Sequence, residues 1–194
     1  GDGDFLSIGG EHIAPQAARN LNVCAVIMDN GVYGLTKGQS SPTTLIGTTT
    51  SSTPYGKMEQ EVNALELYLA MGVSFIASGF SSQPRVLANI VRQGMEHPGF
   101  AIVNVQSPCT TYNDTYELIK GNVKKGIAPS LWEIPSDHDA SDKDAAKSIV
   151  AKGGLPIGIL YKDTSRPSFD SALADLQTRV KPSSVEELLN SYAL

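Results

Sequence analysis

The chain has 194 residues, 41% hydrophobic and 18% charged, with a formal net charge of −5. This length supports one hydrophobic core and a small appendage, and the composition excludes a disordered chain. With 15 basic against 20 acidic residues and no basic block, no nucleic-acid partner held through phosphates is expected. No apolar run approaches the roughly 20 residues that span a bilayer, so no membrane partner is expected either. Two cysteines, Cys24 and Cys109, are too few for a disulfide framework, and a reducing, cytoplasmic setting fits them best.

In chain order, the sequence opens on a Gly-rich acidic turn, Gly1-Asp2-Gly3-Asp4. A helix is expected over Glu11–Leu21. Pro15 fits only its first turn, so the helix should start near His12–Ala14. Asn22–Asp29 is a short Val/Ile-rich run that reads as a buried strand. Gln39–Gly56 carries no charge and is dominated by Ser and Thr. Such a loop is either functional or a flexible linker. Glu61–Met71 has apolar residues at helical spacing, with Gly72 to stop it. Val73–Ala77 reads as a strand, Pro84–Glu96 as a helix and Phe100–Val105 as a strand. Beyond Gly121 the pattern changes. Lys124–Asp142 is polar and Pro-rich, Asp142–Ala151 looks helical, Leu155–Tyr161 looks like an edge or appended strand, and Val185–Leu194 suggests a final helix. The expectation is an α/β core over 1–121 with helices on both faces of a mostly parallel sheet, and a C-terminal extension over 122–194 packed on it.

The chemistry concentrates at two places. Gly1-Asp2-Gly3-Asp4 is followed about 25 residues later by Asn30, within Asp29-Asn30-Gly31-Val32-Tyr33-Gly34. Taken singly, the first is a turn and the second an Asx-turn. Their spacing, with a helix and a strand between, puts both at the carboxyl ends of strands in an open parallel sheet, where ligands bind. Glycines let backbone approach a phosphate, and a carboxylate with an amide oxygen suits Mg²⁺ bridging to a diphosphate.

The spacing of GDG and Asn resembles the thiamine-diphosphate motif. The longer string GDGDFLSIGGEH…ARN…MDNGVYGLTKGQSSPTT resembles the β subunit of 2-oxoacid:ferredoxin oxidoreductases, closely from Gly1 to Thr44 and again over SPCTTYN at 107–113. Asp137-His138-Asp139 and LPIGILY are weaker echoes. Glu11 and Pro15 depart from the pattern without removing a metal ligand. The resemblance implies a thiamine-diphosphate-binding fold. On it, Asp2, Asn30 and the Val32 carbonyl would hold Mg²⁺, and Gly1, Gly3, Asp4, Ile8, Gly9, Tyr33 and Gly34 would line the cofactor. Leu35, Thr36 and Lys37 would meet the 2-oxoacid and coenzyme A, with His12 near the reacting centre. Lys37 is chemically apt, since an ammonium pairs with a carboxylate.

The resemblance also makes Cys109 one thiolate of a [4Fe–4S] cluster. A cubane needs four ligands, so the cluster belongs to a longer subunit. Cys24, inside an apolar strand, reads as a buried hydrophobe. The opening turn, with neither methionine nor leading strand, reads as an N-terminal truncation. The implied function is oxidative decarboxylation of a 2-oxoacid to an acyl-CoA, with electrons passing to ferredoxin. An α subunit would supply the aminopyrimidine half-site, so this chain alone would be inactive and would bind the cofactor weakly. Competing readings are another thiamine-dependent decarboxylase or synthase, and a non-catalytic binding fragment. LTKGQ-x-SPTT and SPCTTYN argue against the decarboxylase or synthase.

Overall fold

The computed structural model describes residues 1–180 and 183–192. After one π-helical turn at Asp4–Ile8 come helix α1 (Gly10–Arg19), strand β1 (Val23–Asp29), a two-residue hairpin of β2 (Val32–Tyr33) and β3 (Gln39–Ser40), and helix α2 (Ala64–Met71). Strand β4 (Phe75–Phe80), helix α3 (Pro84–Glu96), strand β5 (Phe100–Gln106) and helix α4 (Tyr116–Lys120) follow. The chain then runs through β6 (Leu131–Glu133), α5 (Lys143–Ala151), β7 (Leu155–Lys162), α6 (Phe169–Arg179) and α7 (Val185–Ser191).

Local chemistry sets the helix ends. The Asn63 side chain accepts from the Glu66 amide at the start of α2, and Gly72 closes it in the left-handed conformation (φ 78°). Pro84 sits in the first turn of α3, where a missing N–H costs nothing. Pro15, by contrast, lies inside α1, because that helix starts at Gly10 rather than near His12–Ala14. Pro15 and Glu11 are both exposed, so water can satisfy the Glu11 carbonyl that a Pro15 N–H would have met.

The five-stranded sheet has the order β1-β5-β4-β7-β6. The strands β1, β5 and β4 are parallel, β7 runs antiparallel to β4, and β6 is parallel to β7. Residues alternate between two apolar layers. One joins Ile27, Ile76, Ile102 and Leu160 to α1, α2 and α5. The other joins Phe75, Ala77, Val103 and Val105 to α3 and α4. A mostly parallel sheet with helices on both faces is therefore present.

Two strand expectations change. Leu155–Lys162, expected as an edge or appended strand, is appended antiparallel to β4 but is not at an edge: the three-residue β6 lies outside it among the described residues. The Asn22–Asp29 run is itself an edge strand among the described residues, and Val23, Val26 and Met28 are 49%, 42% and 44% exposed. Cys24 on this strand is accordingly half-buried, its sulfur close against Gly94. Helix α6 answers to no expected element. The last helix spans Val185–Ser191, and the expected end at Leu194 lies outside the described residues.

At the amino ends of the strands a buried polar hub ties the C-terminal segment to the core. Asn20 adopts a left-handed conformation (φ 52°) and is 1% exposed. Its Nδ2 donates to the carbonyls of Arg166 (3.3 Å) and Pro167 (3.1 Å), while its Oδ1 accepts from Ser74 Oγ (2.6 Å) and the Phe100 amide (3.0 Å). Arg166 donates in turn to the Ala17 and Gly72 carbonyls at 3.0 Å each.

Candidate functional site

At the carboxyl ends of the strands, the opening turn folds onto the end of β1. The Asn30 amide donates to Asp2 Oδ1 (3.1 Å), and Asn30 Oδ1 accepts from the Val32 amide (3.1 Å). The Tyr33 hydroxyl donates to the Gly3 carbonyl (3.0 Å). A Cβ at Gly3 would clash with Tyr33 Cε1, so glycine permits this close approach of ring and backbone. Asp2, Gly3, Asn30, Val32 and Tyr33 thus form one cluster, in the place their spacing predicted.

Two side chains that the sequence reading gave no role complete it. Thr43 Oγ1 lies 2.8 Å from Asp2 Oδ2 and 2.8 Å from Asp29 Oδ1. One hydroxyl proton serves only one carboxylate. Asp29, 5% exposed, also accepts from Asn104 Nδ2 and Gln106 Nε2, each at 3.1 Å. Burial, and next the Asp2 carboxylate, push the Asp29 carboxyl above the usual carboxylate range, against the pull of these hydrogen bonds. The network continues through Asn104 to the Tyr68 hydroxyl (3.2 Å). Burial and the two carboxylates push the Tyr68 phenol upward, so it remains a donor.

Asp2 is only 1% exposed, and no basic side chain lies within ion-pair distance of it among the described residues. A buried charge without a partner is costly. A hard cation held by Asp2, the Asn30 side-chain oxygen and the Val32 carbonyl would supply that partner, so the donor set fits Mg²⁺. The other expected residues are partly or fully exposed. Asp4 and Ile8 are exposed on the π-helical turn, and Gly9 caps α1. His12 is exposed on the first turn of α1, its ring 3.9 Å from Glu11. Gly34, Leu35, Thr36 and Lys37 form a turn closed by Gly38 N donating to Tyr33 O (2.8 Å); Leu35 is 99% exposed. Lys37 holds a left-handed backbone (φ 77°) that glycine would take more easily.

The Ser/Thr loop is not a structureless linker. Gly47 and Lys57 exchange backbone bonds with their neighbours, Gly47 N to Lys57 O at 2.7 Å and Lys57 N to Thr48 O at 2.9 Å. Asn113, from the SPCTTYN segment, reaches back to the Asn30 carbonyl (2.9 Å). A Cβ at Gly31 (φ 67°) would come within 2.8 Å of Asn113 Nδ2. Cys109 is half-buried on the turn that this asparagine closes, its carbonyl accepting from Asn113 N (2.9 Å). His138 bonds the Leu160 carbonyl (2.8 Å) and serves the fold. A cavity of about 490 Å³ opens beside the cluster, walled by Asp29, Asn30, Asn63, Asn104, Gln106 and Asn113 among others.

Residues 1–105, which contain this cluster, match the family model for the C-terminal TPP-binding domain of thiamine pyrophosphate enzymes. The chain belongs to that family. Residues 109–178 match the model for the C terminal of the pyruvate ferredoxin oxidoreductase β subunit. Over 182 residues, 90% of this chain, it is 33% identical to the 2-oxoacid:ferredoxin oxidoreductase subunit beta of Saccharolobus solfataricus, covering 60% of that relative. It is 35% identical to subunit beta of 2-oxoacid:ferredoxin oxidoreductase 1 of Aeropyrum pernix, covering 90% of this chain and 57% of the relative. The chain thus spans about 60% of the length of these relatives. A solved 2-oxoglutarate:ferredoxin oxidoreductase from Magnetococcus marinus, with 2-oxoglutarate, coenzyme A and succinyl-CoA bound, superposes with a TM-score of 0.88 at 38% identity. The match covers all of this chain and 66% of that one. No helix among the described residues is long and apolar enough to cross a membrane.

The signals for the missed residues were in the sequence. Asp29 ends a strand beside a presumed metal ligand, and Thr43 belongs to the SPTT string. Lys57 is the first charged residue after an uncharged stretch.

Proposed function

We propose that this chain is the β-subunit portion of a 2-oxoacid:ferredoxin oxidoreductase that holds the diphosphate end of thiamine diphosphate through Mg²⁺. The observation that carries the reading is the buried Asp2 side chain, bonded to the Asn30 amide and Thr43 with no basic side chain within ion-pair distance among the described residues. Thiamine diphosphate, when bound, supplies the carbanion-stabilising chemistry of decarboxylation. In the overall reaction a 2-oxoacid and coenzyme A give acyl-CoA and CO₂, and two electrons pass singly to ferredoxin.

The chain's own part is to bind and orient. Asp2, Asn30 and the Val32 carbonyl hold the metal. Gly3 and the turn through Gly9 admit the diphosphate. Lys37, on its exposed turn, pairs with the substrate carboxylate, Leu35 and Thr36 beside it meet the 2-oxoacid and coenzyme A, and His12 lies near the reacting centre. Cys109 supplies one thiolate to a [4Fe–4S] cluster whose other ligands lie elsewhere in the subunit. The α subunit adds the aminopyrimidine half-site, and the assembly works in the cytoplasm. The names of the relatives and the ligands bound in the Magnetococcus structure support this reading.

Calorimetry with the partner subunit present tests it. Thiamine diphosphate should bind only with Mg²⁺, and Asp2→Ala should abolish retention. The chain alone should bind weakly, since the partner's half-site and its contact surface are then missing. Normal cofactor retention by Asp2→Ala would overturn the assignment.

A further inference from the structure

Lys57 is 7% exposed, yet no carboxylate lies within ion-pair distance of it among the described residues. Its Nζ instead donates to three backbone carbonyls, Ser41 (3.2 Å), Pro42 (3.2 Å) and Thr44 (2.8 Å). An ammonium has three protons, and here all three point into one four-residue turn. The same turn is tied internally by the Ser41 amide donating to Thr44 Oγ1 (2.7 Å) and the Thr44 amide donating to Ser41 O (3.2 Å).

From this turn two side chains reach the cluster. Thr43 Oγ1 meets Asp2 and Asp29, and the Thr44 hydroxyl donates to the Gly31 carbonyl, next to Asn30. A surface lysine would be spent in water; this one is buried where its only visible effect is to fix the turn.

We infer that Lys57 is a positioning residue for the metal-binding cluster, acting through Thr43 to hold the Asp2 carboxylate against the Asn30 amide. The inference rests on the cofactor reading for its purpose, but its geometry can be tested without cofactor. The turn joins the two parts of the chain that must meet, the opening GDG turn and the end of β1. It does so from a loop that shares no strand with either. Replacing the ammonium by an apolar chain would leave three carbonyls without their donor and free Thr43 to move.

The experiment is amide hydrogen exchange, read by NMR on the full chain without cofactor, for Lys57→Met, Lys57→Arg, Thr43→Val and the double variant. Exchange at the Asn30 amide should speed up at least ten-fold in Lys57→Met and in Thr43→Val. The double variant should be no faster than Thr43→Val alone, because both changes break one path. Lys57→Arg should recover most of the protection. Should Lys57→Met fail to fold, Lys57→Gln, which keeps two donors, takes its place with a smaller acceleration expected. Native protection at Asn30 in Lys57→Met, or in Lys57→Gln where that variant replaces it, or losses that simply multiply in the double variant, would overturn the inference.

A separate arm keeps the two readings apart. Electron paramagnetic resonance of Mn²⁺ with thiamine diphosphate, on the chain with its partner subunit, should show binding lost in Asp2→Asn and weakened about ten-fold in Lys57→Met. If Asp2→Asn binds normally while the exchange results hold, the cofactor reading fails and the positioning role stands.

Discussion

The two ends of the sheet carry buried polar networks of opposite character. At the amino ends, Asn20, Ser74, His97 and Arg166 are joined by neutral hydrogen bonds or by a guanidinium donating to carbonyls, and the network binds the last third of the chain to the first. At the carboxyl ends, Asp2 and Asp29 face one hydroxyl, and the nearby ammonium of Lys57 spends its protons on carbonyls. The first network serves the fold alone. The second keeps a carboxylate in a place where, without a cation, it costs stability. A site built for a ligand differs here from a structural joint by bringing two carboxyl groups to one hydroxyl, with no basic side chain within ion-pair distance of either among the described residues.

The largest effect expected from breaking this contrast is at Asp2. In Asp2→Asn the amide oxygen still accepts from Asn30, and the new NH₂ donates to Thr43, which then donates to Asp29. The network survives with its direction reversed. Mg²⁺-dependent cofactor binding should fall by at least about 100-fold, roughly 3 kcal/mol, while the ligand-free chain melts no lower than native and gains up to about 1 kcal/mol. A clear drop in melting temperature would show that the carboxylate belongs to the fold after all.

At the other end, Asn20→Ala should behave in the opposite way. It strips the partners from Ser74, the Phe100 amide and two carbonyls, and it places alanine at φ 52°. The expected loss is about 3 kcal/mol in denaturant unfolding, with the affinity of the folded fraction for Mg²⁺ unchanged. An affinity loss comparable to the stability loss would mean that the two ends are coupled.

A third substitution sharpens the comparison on the site side. Lys37 keeps a left-handed backbone at φ 77°, a conformation that costs a non-glycine residue roughly 1–2 kcal/mol. Lys37→Gly relieves that strain but adds chain entropy to the unfolded state, for a net gain of about 1 kcal/mol at most. With the partner subunit present, the same change should raise KM for the 2-oxoacid about ten-fold, an ion pair lost. Unchanged KM would assign Lys37 to the surface.

The central helices and parallel strands were legible because their apolar periodicity and stops are local: Gly72 ends α2 and Pro84 opens α3. Strand β7 was legible as a strand but not in its place, since an apolar run reads the same in either direction and beside any neighbour. Strand β6, three residues long, has no period to read. In the site, Asp2 and Asn30 stand out as ligand types at a telling spacing. Thr43, Asp29 and Lys57 gain their meaning only when the Ser/Thr loop closes over the cluster, and that closure is tertiary. The edge position of β1 was hidden for the same reason: Val26 and Met28 suit a buried strand equally well.

The smallest predicted effect concerns pH and belongs to the amino-end network. His97 is buried, with Nε2 2.8 Å from Ser74 Oγ and Nδ1 without a partner. Ser74 gives its one proton to Asn20 Oδ1 or the Phe100 carbonyl, so Nε2 carries the hydrogen and donates to Ser74. A second proton would sit on Nδ1, desolvated and unpartnered. Burial, and next the Lys162 ammonium, accordingly hold the His97 pKa below the usual histidine value. The unfolded chain then binds the proton more readily than the folded one. This contribution to stability is complete above about pH 6.5, the ordinary histidine value, and is lost as pH falls from there through the lowered folded value. Melting temperatures should decline across that window in the native chain and decline less in His97→Gln, whose amide can still donate to Ser74 but does not titrate. An equal decline in both would place the acid sensitivity elsewhere, and the aspartates at the opposite end of the sheet would be the next groups to test.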